Sequence, residues 1–126
     1  MIKFVSKLNI ALCQSNPEHI FVFEDNMIGK GKVGQAIIRD CSNAWGLPTK
    51  RLPSMNSNAF FSDKQDEYDI VLKELSTLWQ MHLDGKCIVL PNNPIGSGLA
   101  KVSSKSPIVW GLIKKFYDSA HKANNC

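Results

Sequence analysis

The sequence predicts an α/β fold in which a central mixed sheet carries helices on both faces. Two short apolar runs, within residues 20–23 and 86–93, are too short for helices and indicate buried strands. Two longer segments, which begin near Ser62 and Ser106, place apolar residues at helical spacing. Because strands alternate with helices along the chain, we expect helices to cover both faces of the sheet.

The first half of the chain predicts three strands and one short helix. An opening strand is expected over residues 4–12, followed by the strand at 20–23. A short helix over residues 35–40 continues a glycine-rich segment. The segment AWGLPTK then predicts a third strand that ends near Pro48.

The second half predicts two long helices around the strand at 86–93. The first helix starts with Ser62 and Gln65 at capping-box spacing and ends at Gly85. The second starts with Ser106 as N-cap and Pro107 at the first helical position. The apolar residues expected to face the core are Tyr68, Val71, Leu72, Leu75, Leu78, Trp79, Val109, Leu112, Ile113 and Phe116.

Length and composition fit one domain over residues 1–126. A chain of 126 residues that is 44% hydrophobic can bury one compact core but has no room for a second. The cysteines are widely spaced, which indicates reduced thiols in a cytoplasmic protein; they are Cys13, Cys41, Cys87 and Cys126. We expect no signal peptide and no membrane partner, because no stretch of about 20 apolar residues occurs.

Positive charge is concentrated outside the first long helix. The net charge is +4, and residues 62–83 carry five acidic residues against two lysines, a net −3, so that the remaining residues sum to +7. Several of these cations surround the glycine-rich segment: Lys30, Lys32, Arg39, Lys50 and Arg51. This pattern favours an anionic ligand there, with a solvated basic face as the alternative.

The glycine-rich segment GKGKVGQAI has the G-x-G-x-x-G spacing but does not fit either standard nucleotide loop. In a dinucleotide-binding fold an acidic residue follows about 20 positions later, whereas this chain has Thr49, Lys50 and Arg51 there. A P-loop needs Gly-Lys-Ser/Thr, whereas Gly34 is followed by Gln35. The segment therefore requires a different interpretation.

The order of a strand, the dipeptide DN and then MIGKGKVGQAI resembles the first ligand-binding loop of macro domains. After another strand, PIGSGLA resembles the second macro-domain loop, which wraps the diphosphate and the distal ribose. With FVF and GLPTK, these segments also resemble small uncharacterised macro-like proteins of bacteria and their phages. The resemblance covers most of residues 20–118. It implies a macro-domain-like three-layer α/β/α sandwich.

The resemblance also implies that both loops hold one ligand, ADP-ribose or a related nucleotide. Glycines let the backbone approach a phosphate closely and point successive N–H groups at its oxygens. Asn26 is expected at the distal ribose, with an asparagine that caps the turn as the alternative. The expected ligand-binding residues are Asp25, Asn26, Gly29, Gly31, Lys32, Val33, Gly34, Ile95, Gly96, Ser97, Gly98 and Leu99. We expect no cofactor and no metal.

Asp25 and Lys50 are the candidates for catalysis. An acid at a strand end could accept a hydrogen bond from adenine or ribose, or act on the substrate; the alternative is an aspartate that stabilises the turn. Lys50 could contact a phosphate or take part in catalysis, and the alternative is an ordinary exposed lysine. The sequence leaves open whether the protein is an enzyme.

Two classes of function follow from these residues. The first is a binding module for ADP-ribose or a related nucleotide, which in a bacterial or phage setting could sequester a nucleotide signal and act against host defence. The second is a hydrolase that removes ADP-ribose or a terminal phosphate. We favour binding, because the sequence offers two phosphate loops but no clear acid–base pair. Nucleic acid is disfavoured, because basic residues are not interleaved with aromatic ones.

Overall fold

The structure, a computed structural model, describes all residues from 1 to 126 and contains a four-stranded sheet with helices. The strands are β1 (Ile2–Val5), β2 (Ile20–Asn26), β3 (Ala44–Lys50) and β4 (Ile88–Pro91). The α-helices are α1 (Ile10–Ser15), α2 (Gln65–Leu83), α3 (Val102–Lys105) and α4 (Pro107–His121). Two short 3₁₀-helices span Gly34–Ile38 and Ser57–Ala59.

All strand pairs in the sheet are parallel, in the order β1-β4-β2-β3. The expectation of a mixed sheet is therefore wrong, although the α/β class is confirmed. Each connection between consecutive strands contains a helical segment, which crosses back over the sheet. Every strand therefore starts at the same edge. The carboxyl ends of all four strands consequently lie at one edge, where ligands bind in open α/β sheets.

The sheet separates two apolar clusters. Alternate residues of β2 enter different clusters, with Val22 in one and Phe21 and Phe23 in the other. The larger cluster joins the sheet to α2 and α4, and the smaller joins it to α1 and the 3₁₀-helix Gly34–Ile38. The strands β2 and β4, at the centre of the sheet, are thus held in place on both sides.

The predicted opening strand over residues 4–12 is wrong after Val5. The strand ends there, and α1 begins at Ile10 because the side chain of Asn9 accepts a hydrogen bond from the Leu12 N–H at 2.7 Å. Asn9, within the segment predicted as a strand, is therefore a helix cap.

The two long helices lie close to their predicted positions, and α4 has Ser106 at its N-cap and Pro107 first, as predicted, but the side chains that cap the two helices differ from those expected. At the start of α2 the carboxylate of Glu67 accepts from the N–H groups of Ser62 and Lys64, whereas the predicted cap used Ser62 and Gln65. At the start of α4 the carboxylate of Asp63 accepts from the N–H groups of Ile108 and Val109. Ser106 itself donates to Asp63, so the cap of α4 comes from a distant loop.

One residue expected in the core of α2 lies at the surface. Leu72 is 42% exposed, because the buried stripe of the helix runs through Glu67, Val71, Leu75 and Leu78. None of the helices combines the length and the apolar content needed to span a bilayer.

The expectation that all four cysteines are free thiols is wrong for two of them. Cys87 and Cys126 form a disulfide with a Cα–Cα distance of 5.6 Å. The pairing arises because the C-terminal tail returns to β1, where the Ile2 N–H donates to the Asn124 carbonyl oxygen. Cys13 and Cys41 are free, and burial raises the pKa of the Cys13 thiol to about 11, so this thiol stays protonated at neutral pH.

Candidate functional site

A cleft of about 370 Å³ opens at the carboxyl edge of the sheet, and both glycine-rich loops reach it. Its walls come from the end of β2, the loop after β2, the end of β3 and the loop after β4. The lining residues are Glu24, Asp25, Asn26, Lys30, Gly31, Val33, Gly34, Gln35, Ala36, Arg39, Thr49, Lys50, Leu52, Pro53, Leu99 and Ala100.

The first loop, residues 27–33, is shaped by the side chain of Asn26. Its Oδ1 accepts from the N–H groups of Ile28 at 3.2 Å and Lys30 at 3.4 Å, while its Nδ2 donates to the Lys30 carbonyl at 2.8 Å. Asn26 is buried, so these bonds replace the water that its amide would otherwise bind. Within the chain, the side chain of Asn26 therefore caps the turn, which was the alternative to a ribose contact.

Gly31 and Gly34 give this loop its path. Their φ angles are +98° and +64°, in the left-handed region that other residues adopt only at a cost. Such angles allow tight turns between β2 and the 3₁₀-helix Gly34–Ile38, which Gly34 itself begins. The N–H groups of Gly31, Val33 and Gly34 make no hydrogen bond within the chain.

Arg39 fixes the loop and forms a bidentate ion pair with Asp25. The Arg39 Nη1 and Nη2 atoms lie 3.0 and 2.6 Å from the two carboxylate oxygens of Asp25. The same guanidinium donates to the carbonyl oxygens of Gly31 at 2.8 Å and Lys30 at 3.2 Å. Both side chains are largely buried, with 15% of Arg39 and 11% of Asp25 exposed. Arg39 therefore fixes the Lys30 and Gly31 carbonyls, while the N–H groups of Gly31, Val33 and Gly34 stay free.

Gly46, in the middle of β3, makes room for this ion pair. A Cβ atom at this position would collide with the carboxylate of Asp25. A glycine inside a strand weakens the strand, and here the close approach of Asp25 explains it. No sequence pattern predicts that Gly46 and Asp25 meet.

The second loop, residues 92–101, is anchored at Gly96. The Gly96 N–H donates to Glu24 Oε1 at 3.0 Å, and the preceding Ile95 N–H donates to the Tyr117 hydroxyl at 3.3 Å. Gly96 has φ +93°, and a Cβ there would press on Val102 at 3.1 Å. Beyond this anchor, the N–H groups of Leu99 and Ala100 make no hydrogen bond within the chain and belong to residues that line the cleft.

Glu24 is the functional candidate that the sequence reasoning missed. It lines the cleft, and its Oε1 accepts from the Gly96 N–H and from the Thr49 hydroxyl at 3.2 Å. Burial raises the pKa of the Glu24 carboxyl above its ordinary value of 4.5, while these two hydrogen bonds and the charge of Lys50 lower it in part. A buried carboxyl with a raised pKa in a cleft is a typical proton donor or acceptor. The sequence feature that could have pointed to Glu24 is its position directly before Asp25, a predicted site residue.

Replacing Glu24 by glutamine is expected to change how stability depends on pH. Because the folded-state pKa is raised, the wild-type protein is stabilised by protonation of Glu24, and this contribution is lost as the pH rises above 4.5 through the folded-state pKa. Glutamine keeps an acceptor for Gly96 and Thr49 but cannot ionise. In thermal melts between about pH 4 and about pH 7, the stability of the variant relative to wild type should therefore increase with pH. A difference that stays constant over this range would contradict the assignment.

The structure brings seven of the predicted site residues to the cleft: Asp25, Asn26, Gly31, Val33, Gly34, Lys50 and Leu99. The others lie in the same two loops but do not line the cleft: Gly29, Lys32, Ile95, Gly96, Ser97 and Gly98. Lys32 turns to an exposed ion pair with Asp40, and the Ser97 hydroxyl donates to the Pro94 carbonyl at 2.6 Å. No group of three or more His, Cys, Asp or Glu side chains has the geometry to hold a metal ion.

Residues 3–116 match the model of a family of unknown function, DUF7831. The match spans most of the chain, so the protein belongs to this family. Comparison with curated proteins gave no match, and comparison with solved structures gave none either.

Proposed function

We propose that this member of DUF7831 binds ADP-ribose or a related nucleotide-derived ligand, with the diphosphate in the cleft between its two glycine-rich loops. The observation that carries the proposal is the set of N–H groups without partners in both loops, from Gly31, Val33, Gly34, Leu99 and Ala100. Successive free N–H groups on a concave surface form a binding site for anionic oxygens. The finer description of the fold, a macro-domain-like three-layer sandwich, is part of the same proposal.

The size and charge of the cleft support a small anionic ligand. Its volume of about 370 Å³ lies within the range of about 300 to 1,000 Å³ that is typical of small-molecule sites. Lys30 and Lys50 line it and form no ion pair with a carboxylate. An incoming phosphate therefore meets two cations and two sets of backbone donors, which favours a diphosphate over a neutral ligand.

The proposal gives Asp25 a positioning role. Both of its carboxylate oxygens accept from Arg39, and Oδ1 also accepts from the Asn26 N–H at 2.7 Å. Through Arg39 it fixes the carbonyl groups of Lys30 and Gly31, and thereby the direction of the free N–H groups. Backbone contacts of this kind would sequester a ligand, and no bond of the ligand would have to be broken.

Binding is tested by thermal-shift measurements and calorimetry with ADP-ribose, NAD, AMP and pyrophosphate. We expect ADP-ribose to raise the melting temperature, because a ligand at 100 times its dissociation constant adds about 2.7 kcal/mol of apparent stability. AMP, which has no diphosphate, should bind more weakly than ADP-ribose. No shift with any of these ligands would contradict the proposal.

Glu24 favours a second candidate function, the hydrolysis of an ADP-ribose derivative. Glu24 lines the proposed diphosphate site, and burial raises the pKa of its carboxyl, which favours a role as general acid or base. If the protein is a hydrolase, Glu24→Gln should lower the rate by about 10² to 10⁴ and still bind the ligand. Ligand recovered unchanged after incubation with the wild-type protein would instead support sequestration.

A further inference from the structure

Three lysines converge on one aromatic ring beside the cleft. The Nζ atoms of Lys50, Lys101 and Lys105 lie 5.1, 5.6 and 4.9 Å from the centroid of the Phe60 ring. Phe60 is 7% exposed and sits at the end of the loop between β3 and α2. The fold brings Lys50, at the end of β3, next to Lys101 and Lys105 at the two ends of a single short segment that includes α3.

No carboxylate neutralises this lysine cluster. All four ion pairs of the protein involve other cations, and the nearby Asp63 carboxylate accepts from Ser106 and from the start of α4. Contact with the face of an aromatic ring compensates part of the repulsion between like charges. The remaining positive potential attracts an anion, and it is concentrated at one point of the surface.

The lysine cluster is continuous with the cleft. Lys50 both lines the cleft and contacts Phe60. Lys101 directly follows Ala100, which lines the cleft and has a free N–H group. An anion at the lysine cluster and a diphosphate in the cleft would therefore be neighbours, close enough to belong to one molecule.

We propose that Lys50, Lys101 and Lys105 form a second anion subsite, so that the ligand is a nucleotide with a phosphomonoester in addition to its diphosphate. This inference rests on the proposed function, since the diphosphate in the cleft defines the first subsite. A small ligand fits better than nucleic acid, because the cations meet around one ring beside one small cleft. Single-stranded nucleic acid is bound along an extended groove with several stacking aromatics.

The test compares ADP-ribose with two derivatives that carry one extra phosphate, on the adenosine ribose or on the terminal ribose. By calorimetry at low salt, at least one derivative should bind about tenfold more tightly than ADP-ribose, because charge-assisted contacts are the strong ones. The double variant Lys101→Gln/Lys105→Gln should lose this gain and retain its affinity for ADP-ribose. Lys50 stays unchanged because it also lines the cleft.

Two controls make the result specific. Lys73→Gln/Lys114→Gln removes the same charge from exposed positions on α2 and α4, and it should keep the gain. The single variant Lys105→Gln, checked by circular dichroism, serves if the double variant does not fold.

Each outcome decides one question. If ADP-ribose binds but neither derivative binds more tightly, or if both double variants lose the gain equally, the second subsite is wrong and the proposed function stands. If no nucleotide binds, the proposed function fails and the subsite fails with it. A ten-residue single-stranded RNA could also bind more tightly than any of the nucleotides, and its binding could depend on the same lysines. That result would show that the lysine cluster binds nucleic acid and not a small ligand.

Discussion

Replacing Gly31 by valine is expected to remove most of the nucleotide affinity while the sheet and the two long helices stay folded. At φ +98° a β-branched side chain is strained, and the Cβ would lie 3.9 Å from the Cβ of Pro53 at the wall of the cleft. The loop must therefore shift its free N–H groups away from the ligand. Because hydrogen bonds to a charged group contribute about 1.5 to 3 kcal/mol each, we expect affinity to fall about a hundredfold in calorimetry.

The matched control for this variant is Gly98→Ala. Gly98 lies in the second loop, but its φ is not in the left-handed region and a Cβ there would meet nothing within 4 Å. Its stability and affinity should stay near those of wild type. Wild-type affinity in Gly31→Val would show that the glycine-rich loop is only a turn.

Replacing Arg39 by methionine is expected to destabilise the fold by about 2 to 3 kcal/mol, because it leaves the largely buried carboxylate of Asp25 without its partner. The Gly31 carbonyl would also lose its donor, and the Lys30 carbonyl would keep only the donor from Asn26. Nucleotide affinity should fall as well, since the loop is no longer fixed. Denaturant unfolding monitored by circular dichroism measures the loss of stability.

Two further variants separate this effect from a general loss of charge. Lys32→Met breaks the exposed pair with Asp40 and should cost less than about 1 kcal/mol. Asp25→Asn/Arg39→Met removes both charges and should recover part of the stability lost in the single variant. If Arg39→Met unfolds at the same denaturant concentration as wild type, the ion pair does not support the loop.

The strands and long helices could be predicted because their signals are local. The apolar run at residues 20–23 and the stripe of α2 that includes Val71, Leu75 and Leu78 follow from periodicity. The opening strand was predicted too long, because the residues on both sides of Asn9 were assigned to one strand. Asparagine is a preferred helix cap, and Asn9 marks the start of α1. Local sequence also does not predict that the strands are parallel. Their direction depends on the edge of the sheet to which each connecting helix leads the chain.

Only those parts of the candidate site that require a particular backbone conformation could be predicted from the sequence. Gly31 and Gly34 mark left-handed positions, and such glycines can be recognised from their spacing after a strand. The partners of side chains could not be predicted. Asp25 meets Arg39 fourteen positions away, and Glu24 meets Gly96 across 72 positions. For the same reason the disulfide between Cys87 and Cys126 was missed, because its pairing depends on the path of the C-terminal tail.

The most direct test of the two-loop cleft is an NMR titration of the ¹⁵N-labelled protein with ADP-ribose. The backbone amide signals of Gly31, Val33, Gly34, Leu99 and Ala100 should move together, with one dissociation constant, because their N–H groups would donate to one ligand. Shifts confined to a single loop, or shifts centred on the groove between α2 and α4 that Leu75 and Trp79 line, would contradict the account.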